Sequence, residues 1–431
     1  MIATETADAT QPADPAAPLT RAALERWTPR TFFKTGPPGR VGVELELHVV
    51  DAVRPAAHLS PGRLAAVTAA LAEVVAVGEA TREPGGQVEL STAPADSLPA
   101  LLASTRADLD RMRQAAASHQ TRLVGVGCDP VRPARRVLHT PRYDAMEAYF
   151  DRFGDVPATS PDGLAVPAGR TMMCASASVQ VNVEAGPDEA AAMARRWQLL
   201  HTVGPALAAT FACSPLRDGR PTGWSSTRLA AWLALDPART AEPAPAGDLA
   251  TTYLRFALGA PLLLVRREAG GWHAPPGATF ADWLDGGERV VPDRPGPTAA
   301  DLALHLSTLF PPVRARGHLE VRYVDAQPGD DWVVPVAVIA ALVDDPVAAD
   351  VAQAACEPVA SQWRAAARFG AGHPGLRQAA VATLAAAADS WRRRDDPVAD
   401  AVEGFLEART VRGRCPADDL LDAAARGEDL L

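Results

Sequence analysis

Lysine is nearly missing from this 431-residue chain: of 42 basic residues all but Lys34 are arginine. That scarcity excludes chemistry. A phosphate-cradling Walker loop needs Gly-Lys-Ser/Thr after a glycine-rich turn, and Lys34 sits in FFKTG without those glycines. A pyridoxal Schiff base also needs a lysine, so it loses its usual carrier. If phosphates are handled here, arginines and metal-bound carboxylates must handle them. Cysteine is sparse too: Cys128, Cys174, Cys213, Cys356 and Cys415 are scattered, with no CxxC or Cys/His cluster, which weighs against structural zinc and points to reduced thiols. No apolar run approaches the roughly 20 residues that cross a bilayer, and the acidic, proline-rich opening lacks a basic-then-apolar signal. The expectation is a cytoplasmic protein without a membrane partner, with a flexible N-terminus over 1–20.

Basic charge is also in deficit, at a net charge of -10. A general nucleic-acid binder displaces counterions with a basic surface, so small molecules are the expected partners. With 48% hydrophobic and 22% charged residues the chain can bury a large core. Helical periodicity runs over Pro61 to Val77, Ser97 to Arg122, Glu189 to Phe211, Trp332 to Leu342 and much of Asp345 to Leu421. Between these lie strand-like segments near 41–50, 87–91, 122–128, 176–184 and 318–325. Pro/Gly-rich stretches at 160–170, 241–248 and 286–298 read as loops or lids. The mixture predicts an α+β fold with helices backing a sheet. It forms a single domain over 21–431, in which 346–431 is a mainly helical scaffold.

The strand-like segments carry the chemistry. In GVELELHVVD alternation sets Glu44, Glu46 and His48 on one face and Val43, Leu45, Leu47 and Val49 on the other. Alone, that is also the ordinary solvated side of an antiparallel strand. Three further segments repeat the pattern, however. REPGGQVELST places Gln87 and Glu89 on one face behind Glu83 and a Pro-Gly-Gly turn, SASVQVNVE aligns Ser178, Gln180, Asn182 and Glu184, and HLEVRYVD aligns His318, Glu320 and Arg322. Stacked in one sheet, Glu44, Glu46, Glu83, Glu89 and Glu320 would converge. So many carboxylates repel unless cations neutralise them, and an all-oxygen site suits Mg2+ shared with nucleotide phosphates. Phosphoryl transfer is the leading reaction class. Arg228 in GWSSTRLAAW and Arg239 in DPART are ordinary surface arginines in isolation; beside such a site they become anchors for a carboxylate or phosphate. For Arg322 two readings stand side by side, an aim at a transferring phosphoryl group and a salt bridge to Glu320.

At EPGGQVELS the sequence resembles the plant and bacterial type of glutamate-cysteine ligase. GVELE, GVGCDP, RYDAM, SVQVNV, ACSPL, GWSSTRLAAW, ART and TLFPPVRARGHLEVR continue the likeness in order, over roughly residues 40–345. The resemblance implies a glutamine-synthetase-like antiparallel sheet curved into a half-barrel. Its concave face would bind metal, ATP and glutamate. It implies Glu44, Glu46, Glu83, Glu89 and Glu320 as metal ligands, with Gln180 in the same metal and nucleotide-phosphate shell and Asn182 helping to place the substrate or phosphates. Arg322 and Glu320 would be catalytic, and Arg228 and Arg239 would lie near the amino-acid substrates. L-glutamate, L-cysteine and ATP would be the substrates and γ-glutamylcysteine the product, in bacterial relatives often for ergothioneine. A ligase for a different amine, or a non-catalytic sensor of the same fold, are the alternatives. The cysteine pair that regulates the plant enzymes has no clear counterpart, and the segment Ala241 to Gly247 is shorter and differently composed.

Overall fold

The computed structural model describes residues 18–34, 39–159, 164–187 and 189–431. Seven strands form one antiparallel sheet: β1 (Val41–Asp51), β2 (Glu79–Arg82), β3 (Val88–Ser91), β4 (Thr121–Val124), β5 (Ser178–Val183), β6 (Val313–Ala315) and β7 (Leu319–Asp325). Their order is β6-β7-β5-β1-β3-β2, with β4 on the C-terminal half of β1. β6 and β2 end this row without pairing to each other, so the sheet is open rather than a closed barrel.

The alternation in the sequence explains which side is covered. Val43, Leu45, Val179, Val181, Val183 and Val321 are buried, and helices pack on that side. One is Leu98–Ser118, started by the Ser97 hydroxyl accepting from the Ala100 N–H and buried along Leu101, Thr105, Leu109 and Met112. Another is Val333–Asp344, apolar nearly all round and buried accordingly. Each fully buried Val or Leu contributes roughly 1.5–3 kcal/mol, so a one-residue slip of register would reverse the sign of the whole face. From Pro346 to Arg426 the chain is helical, with Pro374–Arg392 packed between its neighbours.

Local boundaries depart from the periodicity in three places. The helical stretch expected over Ser97 to Arg122 stops at Ser118, because Gln120 takes a φ of 53° and turns the chain into β4. The one expected over Glu189 to Phe211 is two helices, Ala190–Thr202 and Gly204–Thr210. Pro205 cannot donate the continuing hydrogen bond, and at Gly204 a Cβ would lie 2.2 Å from the Trp363 ring. Within the expected loop at 160–170, residues 160–163 lie outside the described residues, while Ala168–Cys174 is helical. Residues 1–17 likewise lie outside them. Pro18 bridges to Thr298 and the Leu19 N–H donates to the Pro297 carbonyl.

Candidate active site

The register stacks the polar faces as the alternation requires. Glu44 lies opposite Gln180, Glu320 opposite Asn182, and Glu46 opposite Glu89. Side chains then meet diagonally across strands. Gln180 donates to Glu46 at 3.0 Å and Asn182 donates to Glu44 at 3.2 Å, so the amides of β5 hold the acids of β1. Glu83 joins them from the turn before β3. That turn is tight: Gly86 has a φ of 91°, and a Cβ on Gly85 would sit 2.1 Å from the Cys174 carbonyl oxygen. Gln87, expected on the polar face, instead pins this turn by donating to the Ser176 carbonyl at 2.7 Å.

The electrostatics divide the face in two. On one side, burial pushes the carboxyls of Glu44, Glu46, Glu83 and Glu89 up, and neighbouring acids push Glu44, Glu83 and Glu89 further. Glu83 is raised to about 7, by burial first and then by the Glu46 charge. Glu89 stands well above the usual range, through burial and the charges of Glu83, Glu44 and Glu46. On the other side, Arg314 clasps Glu320 with Nε and Nη2 at 2.5 and 2.8 Å, and Arg322 donates to Glu320 at 2.5 Å and to Gln180. Burial disfavours ionisation of Glu320, yet the two guanidinium groups override it and hold its carboxyl well below the usual range. A row of acids with raised carboxyls thus borders a pair of arginines.

Among the described residues no group of three or more His, Cys, Asp or Glu side chains is already arranged to hold a metal ion. The donor set nonetheless fits a hard cation. Every donor is oxygen, the four acids stay raised despite the arginines nearby, and the buried Asn182 Oδ1 has no partner among the described residues. Glu320 differs from the other four, since both its oxygens are occupied by arginine.

A β-bulge adds a residue that alternation misplaces. Between Val321 and Val324 β7 advances three residues while its partner advances two, from Val181 to Val179. The extra residue moves Asp325 opposite Ser178, on the polar side, whereas strict alternation puts it with Leu319 and Val321. There Asp325 accepts from the Cys213 N–H at 2.9 Å, Ser214 at 2.7 Å and Ser226 at 2.9 Å, and pairs with Arg228 at 3.6 Å. Arg228 also donates to the Arg322 carbonyl at 2.8 Å and lowers the Glu46 carboxyl against its burial. Arg228 thus links Asp325 to the backbone of Arg322 beside Glu46. Gly127 leaves the room: a Cβ there would be 2.4 Å from the Asp325 carboxyl carbon.

Arg239 is not brought to the carboxylates. It is fully buried, donates to the Thr308 carbonyl and hydroxyl at 3.0 Å and to Pro261, and lies 4.8 Å over the Tyr149 ring. These contacts hold the guanidinium in the protein interior, and its Nε has no hydrogen-bond partner among the described residues. His48, aligned with Glu44 and Glu46 by alternation, bonds the Val126 carbonyl at 3.2 Å, away from the acid row. Sequence reasoning missed Arg314, Asp325, and Arg142 and Tyr143, the last two of which feel the Glu83 charge. Arg314 carried a usable signal: it lies in a β-hairpin six residues before Glu320, on the same motif string. The cysteines are all buried and free, and burial raises Cys128 and Cys174 to about 12, which leaves no reactive thiolate.

The family model described as Glutamate-cysteine ligase family 2 matches residues 40–430. The chain belongs to that family. It is 40% identical over 402 residues to glutamate-cysteine ligase EgtA of Mycolicibacterium smegmatis, covering 92% of this chain and 90% of the relative. The chloroplastic glutamate-cysteine ligase of Medicago truncatula is 32% identical over 253 residues, covering 57% of this chain and 46% of the plant protein. A crystal structure of a Francisella tularensis glutamate-cysteine ligase in complex with AMP superposes with a TM-score of 0.55 at 13% identity, covering 92% of this chain and 86% of that one. That likeness establishes the fold.

Proposed function

We infer that this protein joins the γ-carboxylate of L-glutamate to the amine of L-cysteine, converting ATP to ADP and phosphate. The observation that carries this reading is the bordering of the acid row Glu44, Glu46, Glu83 and Glu89 by the arginine pair Arg314 and Arg322 on one sheet face. A site built that way accepts polyanions and their counter-cations together, and it offers no nucleophile. The chemistry it suits is transfer of the ATP γ-phosphoryl to the glutamate γ-carboxylate. An acyl phosphate and ADP result. The cysteine nitrogen then attacks the acyl carbon and loses a proton as phosphate leaves.

Magnesium is part of the proposal. Glu44, Glu46, Glu83 and Glu89 would hold it, and Glu320 would join them by exchanging one guanidinium partner. A cation held by these residues would supply positive charge to offset the triphosphate, which otherwise repels the glutamate carboxylate. The chain's own part is geometric and electrostatic. Arg322 presents a donor fork from the face of Glu320. Gln180 and Asn182 fix the acids, and Asp325 and Arg228 fix the backbone at Arg322. Among the described residues no helix is long and apolar enough to cross a membrane. Cytoplasmic placement, and use of the product for ergothioneine, belong to this reading through the family resemblance.

The test is purified protein with ATP, magnesium and glutamate while the amine is varied. One ADP and one phosphate per γ-glutamylcysteine supports the reading. AMP with pyrophosphate, or faster coupling to another amine, overturns it.

A further inference from the structure

A cavity of about 460 Å³ lies against the opposite side of the sheet from the acid row. Its walls include Leu45, Leu47 and Val179, the residues that alternate with Glu44, Glu46 and Gln180, and Leu109 from the covering helix. Glu46 is the one member of the acid row that also borders it. The volume lies within the ~300–1,000 Å³ of small-molecule sites.

Two of its lining side chains are polar, almost fully buried and incompletely bonded. Gln327 is 2% exposed and Trp332 3% exposed. The Gln327 amide nitrogen donates to the Phe211 and Asp325 carbonyls, both at 2.8 Å, which fixes the orientation of the amide, since a flip would set oxygen against oxygen. Its Oε1 is left buried with no partner among the described residues, and so is the Trp332 Nε1–H. An unmet buried acceptor and an unmet buried donor are each destabilising, a cost that a matching ligand removes. Among the lining residues the partly exposed Arg113 and the exposed Asp330 pair at 2.9 Å and offset each other's charge.

We propose that this cavity is a second small-molecule site, for a compact uncharged carboxamide with an apolar body. The ligand N–H meets Gln327 Oε1, its carbonyl accepts from Trp332 Nε1, and its body fills the space between Leu45, Leu47 and Leu109. Gln327 also holds the Asp325 carbonyl, so the ligand sits one hydrogen bond from the residue that anchors Arg228.

The test is calorimetric titration of the full chain with benzamide, and with acetophenone as a match in size that lacks the N–H. Benzamide should bind saturably, roughly tenfold tighter than acetophenone. The affinity should hold in saturating Mg-ATP and glutamate, which separates this cavity from the acid row. Trp332→Phe should weaken benzamide roughly tenfold. Leu123→Trp, which crowds the wall, should abolish binding while melting temperature and ligase turnover stay near wild type. Absent saturable binding, equal affinity for acetophenone, competition by Mg-ATP, or undiminished binding in Leu123→Trp would each overturn the assignment.

Discussion

Arg314 and Glu320 face each other across β6 and β7, and two guanidinium nitrogens meet the two carboxylate oxygens at 2.5 and 2.8 Å. Both side chains are buried, at 10% and 0% exposure, so the pair exists only because each partner cancels the other's desolvation. Arg314→Met leaves Glu320 with Arg322 alone and should cost on the order of 3 kcal/mol in chemical denaturation. Arg314→Met with Glu320→Gln should cost clearly less than the sum of the single changes. Additive losses would mean that the pair is not coupled.

Arg322 serves two partners, Glu320 and Gln180, and both readings of it from the sequence meet here, since the salt bridge is present on the face that would receive phosphate. Arg322→Lys keeps one charge and loses the fork. A role in phosphoryl transfer gives a kcat lower by ~10–1000-fold, or roughly 1.4–4 kcal/mol, with glutamate affinity little changed. Single-turnover ADP formation and a melting curve decide the matter. Normal ADP formation in a folded variant removes the role, and a collapsed melting temperature assigns Arg322 to the scaffold.

Glu44 and Glu320 should respond differently to the loss of a charge. Among the described residues Glu44 accepts no hydrogen bond from a guanidinium and would hold a cation directly, whereas Glu320 accepts from two arginines and would have to exchange one to join it. Glu44→Gln should therefore move the magnesium dependence of turnover to higher concentration by roughly tenfold or more. Glu320→Gln should lower both stability and kcat. Identical magnesium curves for Glu44→Gln and wild type would take Glu44 out of the metal shell.

His305 supplies a pH test away from the site. Burial holds it neutral, with its pKa lowered to about 3 from 6.5, and it bonds the Ala257 carbonyl at 2.7 Å. A depressed base adds stability that is complete above the unfolded pKa and is lost as pH falls below it. From pH 7.5 to 5.5 this group alone should cost about 1.4 kcal/mol. His305→Phe does not titrate, so its deficit against wild type should shrink by that amount at pH 5.5. A deficit that stays constant would show that His305 does not carry the linkage.

Much of the site can be read locally because strand alternation is local. A period of two needs no knowledge of the partner strand to put Glu44 with Glu46, Gln180 with Asn182, or Glu320 with Arg322. The apolar counterparts of these residues then decide which side the helices cover, so both sheet and backing follow from the order of residue types. The glycines of EPGGQ announce a turn for the same reason, since only their backbone admits it.

The rest was decided between segments distant in the chain. A bulge in β7 reverses the alternation after Val321 and delivers Asp325 to the polar side, a shift set by pairing with β5 rather than by β7's own residues. Register against β6 gives Glu320 its arginine, which sets it apart from the other four acids. Packing sets Arg239 apart from Arg228, because Thr308, Pro261 and the Tyr149 ring close around a guanidinium that the sequence leaves indistinguishable from it. Residue order thus determined which faces are polar. Which polar groups meet, and so which charges remain for a cation or a phosphate, depended on contacts that form only when the whole sheet is assembled.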